Sequence, residues 1–298
     1  MKIIKWLLLF GLVLSGCTST PAEPEDTSLN VLCPSGAPTL AFLSSYEEIT
    51  ANGKFDVVDG SDLLVSELSK ADSEYDVIVA PINVGAQLLA KGATTYRLDS
   101  VLTWGNLYVV GTEGALSGEG TIDLFGEGAV PQKIYETVGL ETSLTPTYLS
   151  SGQLVQADLL SGQVQAGLLA EPLVTATIQK AQSQGLTLTV LADLQELYSE
   201  KTGTTGGYPQ AAIFVKEGTD ISSLTEKIND FTSNGYPDAQ TYLETIGTDT
   251  LGLPAAGVVV QSMERQNVRY VKASEVTDQI SAFLELFNIT FEDSFLNA

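Results

Sequence analysis

Short apolar runs alternate with longer amphipathic segments along most of this chain. Continuous or alternating apolar residues predict strands at 29–33, 55–59, 75–81, 107–111, 144–149, 164–170, 186–191 and 211–215. Apolar residues at helical spacing predict helices at 39–46, 61–71, 83–91, 131–138, 153–160, 173–184, 222–234, 238–246 and 274–287. Strands that alternate with helices favour parallel sheets covered by helices, and roughly 270 residues suffice for two lobes. We therefore expect an α/β fold.

The chain begins with a pattern that is typical of an export signal. Lys2 and Lys5 precede nine apolar residues at 6–14, and small residues follow them. This apolar run is shorter than the ~20 residues that a membrane-spanning helix needs. Residues 1–16 are therefore predicted to be a signal peptide. The polar, proline-containing segment at 17–28 is predicted to be a flexible tether, with a structured N-terminal arm as the alternative.

Cys17 gives this signal a more specific meaning. It directly follows Leu14, Ser15 and Gly16, and the run resembles the lipobox of bacterial lipoproteins. In that class the cysteine is lipidated with acyl chains such as palmitate and becomes the new N-terminus. The alternative is an ordinary signal peptide with an unrelated cysteine. We expect export, followed by lipid anchoring at the extracytoplasmic face of the cell membrane.

Composition excludes several kinds of function. The chain contains no histidine, which removes Ser-His-Asp and Cys-His nucleophile systems and histidine metal sites. Its two cysteines, Cys17 and Cys33, do not have the spacing of zinc or iron–sulfur sites. The formal net charge of −23 disfavours nucleic acid as a partner. With only three arginines, a pocket built on several Arg–carboxylate pairs is not expected. We predict no metal and no cofactor.

Three segments, taken in order, resemble the substrate-binding proteins of ABC importers. They are the strand–turn–helix at 32–39, the strand at 76–83, and the Gly-x-Val-x-Ala…Glu-Pro pattern at 162–172. The similarity is strongest to the group that binds nitrate, sulfonates and thiamine precursors. Gln165 stands where that group usually has Asp. The resemblance covers about 30–287.

The resemblance implies a two-lobed fold of the type II periplasmic-binding class. Each lobe is expected to be a mostly parallel sheet flanked by helices, and two crossing strands join the lobes. Lobe one is predicted at 29–111 plus 211–298, and lobe two at 112–210. The crossings are expected near 107–112 and 208–215, and hinge motion about them closes the lobes on a ligand.

In such a fold, loops at the carboxyl ends of strands meet in the cleft between the lobes. Polar residues and helix N-termini in those loops are therefore candidate ligand contacts. The candidates are Ser35, Gly36, Ala37, Thr39, Asn83, Trp104, Gly128, Val130, Ser150, Ser151, Glu171 and Tyr208.

Several of these candidates have a structural alternative. The segment 35–39 and Asn83 can serve as helix caps, Trp104 can pack in the core, and Glu171 can be a hinge or cap residue. If Trp104 and Tyr208 line the cleft, they favour an aromatic or heterocyclic solute such as a pyrimidine. Cys33 follows apolar residues and is expected to be a buried, inert thiol.

The function expected from these observations is solute capture without catalysis. A monomeric lipoprotein would bind a small-molecule solute and deliver it to an ABC permease in the membrane. One alternative is an enzyme on the same two-lobed fold, although a cytoplasmic enzyme should lack the lipobox at Cys17. A surface sensor or adhesion lipoprotein is another. The sequence leaves the solute and the permease partner open.

Overall fold

A computed structural model describes residues 28–297. The predicted signal peptide, the lipidation site Cys17 and all of the tether except Ser28 lie outside the described residues. Within 28–297 the strands are β1 Asn30–Pro34, β2 Lys54–Val58, β3 Val77–Pro81, β4 Tyr96–Thr103, β5 Leu107–Gly111, β6 Thr121–Phe125, β7 Thr145–Leu149, β8 Ala166–Ala170, β9 Thr189–Asp193, β10 Ala211–Lys216 and β11 Val268–Lys272.

Helices flank these strands. They are α1 Tyr46–Asn52, α2 Asp62–Leu68, α3 Ile82–Ala90, α4 Val130–Val138, α5 Gly152–Ser161, α6 Leu173–Ser183, α7 Leu194–Thr202, α8 Ser222–Ser233, α9 Ala239–Ile246, α10 Ala256–Ser262 and α11 Thr277–Glu285. Short 3-10 helices add to them, among them Ala37–Ser45 and Glu264–Gln266. No helix in this described part is both long and apolar enough to span a bilayer.

The strands form two sheets, one in each lobe. The lobe-one sheet has the order β11-β4-β10-β3-β1-β2, and the lobe-two sheet has the order β7-β6-β8-β5-β9. Both sheets are mixed rather than mostly parallel, because strands beside the crossings reverse direction. β10 runs antiparallel to β3 and β4, and β5 runs antiparallel to β8 and β9. The two-lobed α/β architecture expected from the sequence is confirmed.

The boundary between the lobes differs from the sequence prediction. The segment 107–111 was assigned to lobe one, but as β5 it pairs with β8 and β9 in the lobe-two sheet. The first crossing is therefore the three-residue segment 104–106. The second crossing is 203–210, which leads from α7 back to β10.

The two crossings lie side by side and are hydrogen-bonded to each other. The amide of Tyr208 donates to the Trp104 carbonyl at 3.2 Å, and the amide of Gln210 donates to the Thr103 carbonyl at 2.8 Å. Gly207 has a φ of +96°, and a Cβ there would lie 2.0 Å from the Trp104 carbonyl oxygen. Only glycine fits this close approach, so the chain can turn at the point where the lobes join.

Apolar strands account for the core. Val31, Leu32 and Cys33 in β1 are fully buried, as a strand between two others requires. Burial raises the pKa of the Cys33 thiol well above its ordinary value, which agrees with the expected inert cysteine. The segment predicted as one helix at 39–46 is instead a 3-10 helix, Ala37–Ser45, followed by α1. The strands β4, β6 and β11 and the helices α7 and α10 were not predicted.

Candidate ligand-binding site

A cavity of about 510 Å³ lies between the two lobes. It opens at the carboxyl ends of β1, β3, β6 and β8, where an α/β sheet places its ligands. The cavity is lined by Pro34, Ser35, Gly36, Ala37, Pro38, Pro81, Asn106, Leu107, Phe125, Pro131, Gly152, Gln153, Ala170, Glu171, Pro172, Leu173, Gln210, Ala211, Gly252 and Pro254. Its volume suits a small organic molecule.

Lobe one contributes the turn that follows β1. Gly36 has a φ of +92°, a conformation that favours glycine, and its amide donates to the Leu251 carbonyl at 3.1 Å. The hydroxyl of Ser35 donates to a carboxylate oxygen of Asp59 at 2.6 Å. The 3-10 helix begins at Ala37, so its N-terminus is part of the cavity lining.

Lobe two contributes two further helix N-termini. Ser151 caps α5 by accepting the Leu154 amide, and Gly152 and Gln153 occupy the first helical positions. Amides at those positions have no acceptor within the helix. Leu173 begins α6 on the neighbouring stretch of wall. Three helix N-termini therefore meet at one cavity, and at α6 the Glu171 carboxylate offsets the partial positive charge by accepting the Thr175 amide.

Two side-chain amides on the crossings form part of the lining. Asn106 Nδ2 donates to the Glu171 carbonyl at 3.0 Å, and Gln210 Nε2 donates to Asn106 Oδ1 at 3.1 Å. The backbone carbonyl fixes the orientation of Asn106, which in turn fixes that of Gln210. The oxygen Gln210 Oε1 is buried without a hydrogen-bond partner. The crossings thus present an ordered amide pair beside the cavity.

Glu171 is the charged residue of the lining, and its carboxylate is already fully bonded. Oε2 accepts the Thr175 amide at 3.0 Å, while Oε1 accepts the Thr175 hydroxyl at 2.9 Å and Arg265 Nε at 2.7 Å. The Glu171 side chain is fully buried. The interpretation of Glu171 as a cap therefore agrees with its bonds, although the residue also lines the cavity.

No lysine or arginine lines the cavity among the described residues. Six of the lining residues are prolines, which carry no N–H and hold φ fixed. Together with Leu107, Phe125 and Leu173 they make most of the wall apolar and stiff. The cavity therefore offers an apolar surface with a few oriented backbone and amide groups.

Four of the twelve predicted contacts line the cavity: Ser35, Gly36, Ala37 and Glu171. Six others lie close in sequence to lining residues but outside the lining, namely Thr39, Asn83, Gly128, Val130, Ser150 and Ser151. Thr39 is fully buried, and its hydroxyl donates to the Gly36 carbonyl, so it stabilises the turn.

Trp104 and Tyr208 pack into the core instead of the cavity. Trp104 is 1% exposed, and the Arg269 guanidinium lies 4.3 Å from its ring centroid. The fully buried Tyr208 ring stacks on Phe283 at 5.8 Å. Tyr208 also packs edge-on against Tyr198 of α7 at 5.2 Å, so both lobes cover its ring. The expectation of an aromatic solute loses its support, since it rested on these two rings.

Sequence reasoning missed the amide pair, although it selected the adjacent region. Asn106 lies two residues after Trp104, and Gln210 lies two residues after Tyr208. The available signal was a polar amide immediately before an apolar strand at each crossing. Gly252 and Pro254 gave no signal, because only the packing of the C-terminal region brings them to the cavity.

No protein-family model matches this sequence, and no curated protein matches it either. Solved structures do match its fold. An ABC transporter from Parabacteroides distasonis superposes with a TM-score of 0.76 at 22% identity, covering 91% of this chain and 99% of that chain. The periplasmic aliphatic sulphonate binding protein SsuA from Escherichia coli gives a TM-score of 0.63 at 16% identity, covering 88% and 86%.

A third structure extends the similarity to another bacterium. The ligand-binding component of an ABC-type import system from Staphylococcus aureus gives a TM-score of 0.60 at 11% identity, covering 91% of this chain and 96% of that chain. Identities this low establish a shared fold rather than a shared ligand. The chain therefore has the two-lobed fold of the substrate-binding proteins of ABC transporters.

Proposed function

We propose that this protein is the extracytoplasmic solute-binding lipoprotein of an ABC importer. Lipidated Cys17 would hold it to the membrane, and the tether would let the folded body reach a permease. The observation that carries this proposal is the interlobe cavity, into which three helix N-termini open at the carboxyl ends of strands. The fold supports the same function, because the matched structures include binding components of transport systems.

The cavity favours binding over catalysis. Its one charged side chain, Glu171, is fully buried and bonded to Thr175 and Arg265, so no lining carboxylate is free for general acid–base chemistry. The chain also lacks histidine. A binding protein needs only shape, oriented donors and apolar surface, and the cavity supplies each of these.

The chemistry of the lining suggests a class of solute. Amides at the starts of α5, α6 and the 3-10 helix suit an oxygen-rich, hydrogen-bond-accepting head such as a carboxylate, sulfonate or carbonyl group. The prolines and Phe125 suit an apolar body attached to that head. A highly charged anion is disfavoured, because no basic side chain lines the cavity to balance it.

Closure of the lobes would capture the solute. The crossings are short and hydrogen-bonded side by side, so the lobes can rotate about them as rigid bodies. Closure brings the lobe-one turn and the lobe-two helix starts onto opposite sides of the solute. The closed protein then presents both lobes to the permease, which opens them and takes up the solute.

The proposal is tested by thermal unfolding against a panel of small sulfonates, carboxylates, amino acids, pyrimidines and nitrate. A solute that binds only the folded state stabilises it by about 2.7 kcal/mol at one hundred times its dissociation constant. The variant Ala170→Phe places a ring in the cavity and should abolish that shift, whereas Ala157→Phe on the exposed face of α5 should preserve it.

Two results would contradict the proposal. A solute whose effect survives in Ala170→Phe does not bind in this cavity. The lipidated protein can also be purified from native membranes. If no permease subunit copurifies and the purified protein contains no solute, the importer function is wrong. Loss of acylation in Cys17→Ser, measured by mass spectrometry, tests the anchor separately.

A further inference from the structure

An ion pair joins the two lobes beside the cavity. Arg265, in the 3-10 helix Glu264–Gln266 of lobe one, donates from Nε to Glu171 Oε1 at 2.7 Å. The same guanidinium donates from Nη2 to the hydroxyl of Thr175 at 2.6 Å. In lobe two, Glu171 lies two residues before the first residue of α6, and Thr175 is in the first turn of that helix. Two charge-assisted hydrogen bonds therefore cross between the lobes.

Hydrogen bonds hold each side of this contact, on the lobe-one side to the first crossing and on the other side within lobe two. The residue after the 3-10 helix, Asn267, accepts the Trp104 amide through its backbone carbonyl at 3.0 Å and donates from Nδ2 to the Trp104 carbonyl at 2.7 Å. On the other side, the Glu171 carboxylate accepts both the amide and the hydroxyl of Thr175. Movement of one lobe relative to the other must therefore stretch the bonds of Arg265 rather than bend a loose loop.

Other contacts join the same two faces. The hydroxyl of Tyr108 in β5 donates to the Arg265 carbonyl at 3.0 Å. Farther along α6, Gln179 Nε2 donates to Gln261 Oε1 of α10 at 2.6 Å. The region of lobe one around Arg265 is therefore the surface that contacts α6 of lobe two.

Glu171 links this contact to the hinge and to the cavity. Its amide donates to the Asn106 carbonyl at 2.9 Å, and its carbonyl accepts Asn106 Nδ2 at 3.0 Å. The same residue lines the cavity. Glu171 therefore bonds the first crossing through its backbone and lobe one through its carboxylate, and it also lines the cavity.

We propose that Arg265, Glu171 and Thr175 form an interlobe latch that favours the closed lobes before any solute arrives. The latch rests on the proposed function in one respect, because closure is useful only if the cavity takes a solute. When the lobes separate, Arg265 withdraws and Glu171 keeps only its bonds to Thr175. Its fully buried carboxylate then loses its counter-ion, so opening is electrostatically unfavourable. The closed lobes are therefore stabilised even when no solute is bound.

The latch is tested without a solute, by measuring the open and closed populations directly. Fluorescent dyes on Glu141→Cys in lobe two and Glu244→Cys in lobe one, both exposed positions, report the interlobe distance in the lipidated full-length protein. The native thiol Cys33 is fully buried, so the added cysteines react selectively. Arg265→Gln should lower the closed-to-open ratio by about tenfold, as expected for the loss of a partly buried charged pair.

Arg97→Gln provides the matched control. Arg97 pairs with Glu217 within lobe one, and its side chain is also partly exposed. Removing that pair should leave the lobe distance distribution unchanged. Arg265→Lys keeps the charge but has no planar pair of donors, so it should give an intermediate ratio. Circular dichroism identifies any variant that does not fold. The double variant Glu171→Gln with Arg265→Gln removes both charges, so it shows whether the lobes shift toward the open state when no unpaired charge is buried.

Identical distance distributions in wild type, Arg265→Gln and the double variant would overturn the latch. That outcome leaves solute binding untouched, because a thermal shift with a solute can still occur. Conversely, an open shift in Arg265→Gln together with no solute in any panel supports the latch and contradicts the proposed function. An equal shift in Arg97→Gln would show a general effect of lost surface charge and would also overturn it.

Discussion

Replacing Asp123 with asparagine should stabilise the protein at neutral pH. Asp123 lies in the middle of β6, the second strand of the lobe-two sheet, and is 4% exposed. Burial, followed by the neighbouring carboxyl of Asp158, raises the pKa of Asp123 from 3.8 to about 6. Asp158 is on α5, which packs over the sheet. At neutral pH this carboxyl is ionised, and the folded protein holds the charge less favourably than the unfolded chain does.

The size and direction of the effect follow from this pKa. A rise from 3.8 to about 6 corresponds to about 3 kcal/mol, at 1.36 kcal/mol for each pH unit. Below pH 3.8 the side chain is protonated in both the folded and the unfolded protein, so nothing is lost. Between pH 3.8 and 6 the unfolded chain loses its proton first, and the free energy of unfolding falls. Above pH 6 the full cost is present.

Urea unfolding at a series of pH values measures this cost. Because other carboxylates titrate in the same range, the informative quantity is the difference in free energy of unfolding between Asp123→Asn and wild type. That difference should grow by up to ~3 kcal/mol from pH 3.5 to pH 7.5. Asp158→Asn should give only part of the gain, because burial is the larger cause. Asp72→Asn, on the exposed surface, serves as the control.

A pH-independent difference for Asp123→Asn would refute the reasoning. It would show that the carboxyl of Asp123 has the same proton affinity in the folded and unfolded chain. A difference that shrinks as pH rises would be a stronger contradiction, because it would mean that the ionised form is favoured in the fold. The same measurement with Asp158→Asn separates the effect of burial from the effect of the neighbouring charge.

Other consequences of the structure are equally testable. Gly207→Ala should unfold at much lower urea than Gly218→Ala, because both positions have positive φ but only a Cβ at 207 would meet a backbone oxygen, at 2.0 Å. The left-handed conformation alone costs about 1–2 kcal/mol, and Gly207→Ala should cost at least twice that; equal midpoints would contradict the close approach. Cys33 should stay unmodified by a thiol reagent in the native body and react fully in guanidinium, since its thiol is fully buried with a raised pKa. Rapid native reaction would mean that β1 opens easily.

The fold was largely predictable because most strands are short and uniformly apolar. β3 and β10 read as strands from their sequences alone, since both faces of these strands are buried. β4 was missed because Arg97, Asp99 and Ser100 interrupt its apolar pattern, although most of the strand is buried. Periodicity cannot identify a buried strand whose polar side chains find partners only after folding.

The site was less predictable than the fold. Sequence position identified the loops that reach the cavity, but not which side chains within each loop point inward. Trp104 illustrates the difference: its place at the crossing was predicted, but its orientation depends on Arg269, which is distant in sequence. The latch residue Arg265 could not be recognised, because its partner Glu171 is 94 residues away. Such contacts depend on tertiary packing rather than on local pattern.

The order of strands in lobe one has a consequence for how the chain folds during synthesis on the ribosome. Lobe two is one continuous stretch from β5 to α7, so it can complete its sheet by itself. Lobe one cannot, because β10 is inserted between β3 and β4 and β11 lies beyond β4. Even Leu296 forms a bridge with Leu98. During synthesis, the facing edges of β3 and β4 therefore stay unpaired until all of lobe two and then β10 have been synthesised.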